Sequence, residues 1–205
     1  MAKRPDPSLP QGQDGNDRKG AAPRRAPCPV VGIGASAGGL EAFRAFLSAA
    51  PIDSGLAFVL VQHLAPDHRS ILAELLQSVT AMPVHEIEGD VAVEPNHVYV
   101  ILQNTSLTIT DGTLRLAQPA QPPGHRAPID GFFMSLAEDQ GENAACVILS
   151  GGGYDGTQGL RAIKEHGGLV LAQSAETAAH DSMLRSAVQT GWWISSCRSK
   201  RCRPS

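Results

Sequence analysis

The sequence predicts an α/β fold: a mostly parallel sheet with helices on both faces and one antiparallel hairpin. Three observations carry this. Continuous apolar runs at residues 30–33, 56–61 and 145–149 read as strands buried on both sides, as in parallel sheets covered by helices. Between such runs, apolar residues recur at helical spacing, first at Leu40, Phe43, Phe46 and Leu47 and again at Ile71, Leu72, Leu75, Leu76 and Val79. Two alternating runs, 107–110 and 114–116, flank Asp111 and Gly112, a tight-turn pair for a hairpin.

The remaining elements follow in order. Short strands are expected at 84–87 and 98–102, before the hairpin. Residues 118–128, "QPAQPPGHRAP", form a loop by composition. A helix is expected over 129–137, then the strand 145–149 and a glycine loop. A further helix over 160–166 closes at Gly167 and Gly168. A short strand at 169–171 and helices starting near Ser174 and Met183 complete the pattern. Residues 1–28 form a leader expected to be disordered. Its first 27 residues hold five prolines, many charges and almost no large apolar side chain to offset ordering entropy.

Bulk composition excludes several function classes. A net charge of −3 gives no overall electrostatic footprint for nucleic acid, and 4% aromatic residues argue against a base-stacking surface. The four cysteines form no C-x-x-C pair, so a disulfide framework or cysteine zinc site is not expected. No apolar run reaches the length of a membrane span, and no secretory signal is legible, so a cytoplasmic protein without direct membrane insertion is expected.

The stretch "VVGIGASAGGLEAF", residues 30–43, carries two overlapping motifs. Gly32 to Ala37 fits the dinucleotide fingerprint G-x-G-x-x-G/A. Gly34 to Gly38 fits the nucleophile elbow G-x-S-x-G, with Ser36 at its centre. The fingerprint also needs an acidic residue at the end of the second strand, for the ribose hydroxyls. That strand ends in Gln62 and His63. The elbow needs a base and an orienting acid at neighbouring strand ends, and His63 and Asp155 fall there. Each residue has a plainer reading alone; Asp155, for instance, could simply cap the helix that follows it. Their coincidence on one sheet edge favours a Ser36, His63, Asp155 triad. A rival order, Ser36, then Asp130 or Asp155, then His166 or His180, lacks upstream strands to complete it. His68 follows His63 by five residues, but no further ligand pair appears, so no metal site is expected.

With these residues in place, the chain resembles the catalytic domain of the bacterial CheB-type protein-glutamate methylesterases. The motifs carrying the resemblance are "VVGIGASAGGLEAF", "VQHLAPDH", "PVHEIEGDVAVEPNHVYVI", "HRAPIDGFFMSLAEDQGE" and "VILSGGGYDGTQGLRAIKEHGGLVLAQ". They span residues 29–191, and the wording of "AEDQGE" is nearest the branch fused to a receptor methyltransferase. The resemblance implies a Rossmann-like fold and a serine hydrolase that removes γ-methyl esters from glutamates on chemoreceptor or sensor helices, some members also deamidating glutamine. It implies Ser36 as nucleophile, His63 as base, Asp155 as orienting acid, and no cofactor. An oxyanion site is implied at Ala37 and Gly152.

Two departures stand out. Gly152 occupies a position where the family commonly has methionine or threonine, which loosens the loop. The alternative it raises is a catalytically weakened regulatory or interaction module of the same fold. Residues 192–205, "WWISSCRSKRCRPS", form an atypical basic tail in which a last strand and helix are expected to be missing or replaced. The residues ahead of 29 are too few for a receiver domain, so phosphorylation control is not expected within this chain.

Overall fold

Side chains of the first strand, β1 (Val30–Ala35), alternate between two apolar layers, and that alternation organises the molecule. Val31, Ile33 and Ala35 face one layer; Val30 faces the other, on the side of Gly32 and Gly34. The computed structural model describes residues 28–62, 71–102, 104–119, 121–122, 125–191 and the backbone of Ser195–Cys197.

After β1 the chain runs through α1 (Gly39–Ala49), β2 (Ala57–Gln62), α2 (Leu72–Gln77), β3 (Val84–Glu86), β4 (Val91–Ala92) and β5 (Val98–Val100). Then come the hairpin β6 (Ser106–Thr110) and β7 (Thr113–Ala117), α3 (Pro128–Gln140), β8 (Ala145–Ile148), α4 (Thr157–Glu165), β9 (Leu169–Gln173), α5 (Ser182–Gln189) and β10 (Ser195–Cys197). The main sheet has the order β10-β9-β8-β1-β2-β5-β3, and every pairing in it is parallel. The order reverses at β1, between β8 and β2. In open α/β sheets the crevice outside such a switch point is where ligands gather.

The predicted strands and helices are present, with differences at the margins. The hairpin does not join the main sheet. It pairs with β4, a two-residue strand the sequence did not announce, in a separate three-stranded sheet. Asp111 and Gly112 both have positive φ, 51° and 67°, which gives the hairpin its tight turn. The helix expected near Ser174 is a single 3₁₀ turn, Ala175–Thr177. Within the tail, Ser195–Cys197 adds an edge strand beside β9.

Helix α3 decides how tightly the site side of the sheet packs. It lies across β1 and beside α4. A Cβ on Gly32 would stand 2.8 Å from Phe133 Cε1, and one on Gly34 would stand 2.6 Å from Ile129 Cγ2. On the α4 side, a Cβ on Gly159 would stand 2.5 Å from Phe133 Cβ. Side chains at these positions would collide with α3, so glycines let the helix sit close to both neighbours. Phe132, Phe133, Leu136 and Ile129 are fully buried as a result.

Candidate active site

Ser36 lies just past β1, in the turn that leads into α1. Its carbonyl accepts the Gly39 N–H at 2.8 Å, which closes the turn. Gly38, the cap residue of α1, has φ 74°, a left-handed conformation that glycine adopts without strain. A Cβ there would meet Ser150 Oγ at 2.9 Å. The turn therefore needs Gly38 for both its backbone angle and the close approach of the next strand's loop.

That next loop follows β8. The Ser36 N–H donates to the Ser150 carbonyl at 3.0 Å, and a Cβ on Gly151 would stand 3.1 Å from Ser36 Cβ. From the other side, Gln62 Nε2 donates to the Ser36 carbonyl at 3.4 Å. Gln62 is the last residue of β2 and immediately precedes His63. His63, like His68, lies outside the described residues.

Ser150 is the fixed point of this edge. It is 1% exposed. Its Oγ donates to the Ala37 carbonyl at 2.9 Å and accepts the His180 N–H at 3.0 Å, while its own N–H donates to Gln173 Oε1 at 2.9 Å. One residue thus ties together the ends of β1, β8 and β9. In the glycine run, the Gly151 N–H donates to the His180 carbonyl and the Gly153 N–H to Ser182 Oγ. Among the described residues, the N–H groups of Gly152 and Ala37 have no acceptor.

Asp155 ends the loop, and its carboxylate is held by α3. Oδ1 accepts the Asp130 N–H at 3.0 Å and Oδ2 accepts the Ile129 N–H at 3.1 Å. Both donors belong to the first turn of α3, where unpaired N–H groups and the helix dipole favour negative charge. Asp155 does not cap the helix that follows it, the plainer role its position suggested. Gly156 occupies that cap, with φ 95° and no side chain.

Asp130 replaces the missing cap. Its Oδ1 accepts the Gly159 N–H of α4 at 2.7 Å. Burial pushes its carboxyl pKa up; the Gly159 N–H pulls it down, and the Asp155 charge raises it again. Sequence reasoning raised Asp130 only as an acid of the rival order. Its "PID" context at the start of a helix was a signal for capping, but not for capping another helix.

The rival histidines are placed as follows. His166 terminates α4 at the end opposite Asp155, with Nδ1 at 2.9 Å from the Ala162 carbonyl, so it is about 13 Å away along the helix axis. His180 is exposed on the Ser36 edge, with its backbone bonded to Ser150 and Gly151. Among the described residues no cluster of three or more His, Cys, Asp or Glu could hold a metal, and no helix is long and apolar enough to cross a membrane.

Comparison with known proteins extends this picture. Residues 31–200 match the family described as CheB methylesterase. The chain is 34% identical over 175 residues to "Protein-glutamate methylesterase/protein-glutamine glutaminase 2" of Pseudomonas aeruginosa, covering 83% of this chain and 50% of that protein. It is 35% identical over 176 residues to the protein of the same name in Anaeromyxobacter dehalogenans, covering 85% and 52%. The chain thus spans about half the length of these curated relatives. The crystal structure of the Thermotoga maritima CheB methylesterase catalytic domain superposes with a TM-score of 0.77 at 27% identity, covering 84% of this chain and 93% of that one.

Proposed function

Because the chain belongs to the CheB methylesterase family, we propose that it is a protein-glutamate methylesterase acting through Ser36, His63 and Asp155. The substrate is a γ-methyl glutamate ester on a helix of a chemoreceptor-type signalling protein. The relatives' names also carry a glutaminase activity, and the same site deamidates glutamine at the equivalent positions.

One observation carries the reading. Ser36 stands at the switch point of the sheet, bonded on one side to the loop that ends in Asp155 and on the other to the residue preceding His63. In this mechanism His63 takes the Ser36 proton as Oγ attacks the ester carbonyl. The Ala37 and Gly152 N–H groups receive the oxyanion, an interaction worth roughly 3 kcal/mol in the transition state for one well-placed donor. His63 then returns the proton to the departing methoxide, and methanol leaves. Water, activated by the same histidine, releases glutamate from the acyl-Ser36 ester. Asp155, anchored by α3, holds the imidazole in the productive tautomer.

The test is methanol release from a methylated receptor signalling domain. Wild-type protein releases it and Ser36→Ala does not. Equal release from both would remove Ser36 from the mechanism, and ammonia release from the glutamine form tests the second activity in the same assay.

A further inference from the structure

Two aspartates on different elements cap each other's helices. Asp155, just ahead of α4, accepts the first N–H groups of α3. Asp130, in the first turn of α3, accepts an N–H of the first turn of α4. The chain from Asp155 to Gly159 completes a closed ring through two hydrogen bonds, Gly159 N–H to Asp130 Oδ1 at 2.7 Å and Asp130 N–H to Asp155 Oδ1 at 3.0 Å. The ring is needed because α4 has no cap of its own: Gly156 supplies no side chain. Gly156 is also hemmed in, since a Cβ there would stand 2.7 Å from Ile148 Cδ1 and 3.0 Å from Ile129 Cγ2.

We propose that Asp130 is a positioning residue for hydrolysis: by capping α4 from α3, it fixes the Asp155 carboxylate in the orientation that serves His63. The inference rests on the triad reading above. Asp130 is 9% exposed, and among the described residues its carboxylate bonds to the start of α4 and not to Ser36. It acts through Asp155. Without its carboxylate, the start of α4 has no side-chain acceptor for the Gly159 N–H. The two backbone N–H groups of α3 still hold Asp155, but the segment 155–159 that carries it loses its tie to α3 at the other end, and the carboxylate is held less firmly. A displacement of about 1 Å in a group that orients a catalytic base can cost on the order of a hundredfold in rate.

The experiment compares full-length wild type, Asp130→Ala and Asp130→Asn on the methylated signalling domain. The folded fraction is measured by urea unfolding, and turnover is expressed per folded molecule, so partial unfolding does not enter the ratio. Asp130→Ala is expected to lower kcat at least about tenfold with KM little changed, the signature of lost orientation rather than lost binding. Asp130→Asn keeps an acceptor oxygen for Gly159 and is expected to stay within about threefold of wild type. Wild-type kcat per folded molecule in Asp130→Ala overturns the proposal. If Asp130→Ala does not fold, Asp130→Glu decides: its carboxylate sits one methylene out of place for the Gly159 N–H, kcat is expected to fall with KM little changed, and wild-type kcat there overturns the proposal. Ser36→Ala and Asp155→Asn run in parallel. Activity persisting in either would sink the triad reading itself. Loss in both, with Asp130→Ala at full rate, leaves the triad standing and removes only the positioning role.

Discussion

Ser150 Oγ stands 2.9 Å from the Ala37 carbonyl oxygen and 3.0 Å from the His180 N–H, so one buried hydroxyl joins the turn after Ser36 to the approach to α5. In Ser150→Ala the His180 N–H and the Ala37 carbonyl lose this part-buried hydroxyl, which costs about 0.5–1.5 kcal/mol. The urea midpoint should fall accordingly. Turnover should fall further than the folded fraction does, because the Ala37 turn loses its tether. A variant with an unchanged midpoint and unchanged turnover would show that this hydroxyl holds nothing in place.

The loop after Ser150 contains two adjacent glycines with opposite requirements. Nothing lies within 4 Å of a Cβ on Gly152, and its φ is outside the left-handed region. Gly153 also has open space, but its φ is 81°. Gly152→Ala should therefore stabilise the protein by about 0.4–1 kcal/mol by restricting the unfolded chain, and Gly153→Ala should destabilise it. Held more firmly, the Gly152 N–H should also support faster turnover. Opposite shifts in thermal midpoint for the two variants check the stability half, and kcat of Gly152→Ala checks the other.

The glycines of "GIGAS" show what the sequence could and could not reveal. The strand, the turn and Ser36 were legible because the apolar run, the helical spacing of Phe43 and Leu47 and the glycine punctuation are all local. The roles of Gly32 and Gly34 were not. Both fit a pyrophosphate fingerprint and Gly34 also opens an elbow, yet the structure sets them against Phe133 and Ile129 of α3, about a hundred residues later in the chain. The Asp130–Asp155 pairing and the Ser150 junction were hidden for the same reason. Each is a contact between elements that only the fold brings together. The hairpin was found by its turn residues, but its partner β4 was missed, since two residues carry no periodicity.

That packing gives a quantitative expectation. In Gly34→Ala the new methyl would lie 2.6 Å from Ile129 Cγ2 and 3.1 Å from Ile148 Cδ1, so α3 or β1 must move. Overpacking of this kind costs about 1–3 kcal/mol. Because Ile129 also donates its N–H to Asp155, the displacement reaches the candidate site. Pairing Gly34→Ala with Ile129→Ala, which removes the clashing Cγ2, should cost less than the two single changes added together. A double-mutant cycle with no coupling between the two positions would place the strain elsewhere.

Asp130 also makes stability depend on pH, and the sign follows from its surroundings. Burial and the nearby Asp155 charge outweigh the helix N–H groups, so the folded carboxyl pKa lies above the unfolded one. An unfolded aspartate titrates near about 3.9. Between that value and the raised folded value, the native state holds more protons than the unfolded state, so stability falls as pH rises through this window and levels off above it. Asp130→Asn cannot titrate. Its stability relative to wild type should therefore climb from about pH 4 upward and then stay constant, whatever the fixed cost of exchanging a carboxylate for an amide. Urea unfolding of both proteins across this range measures the difference directly. Parallel stability curves would mean that Asp130 has the same proton affinity folded and unfolded, and a difference running the other way would mean that the α4 N–H groups dominate over burial.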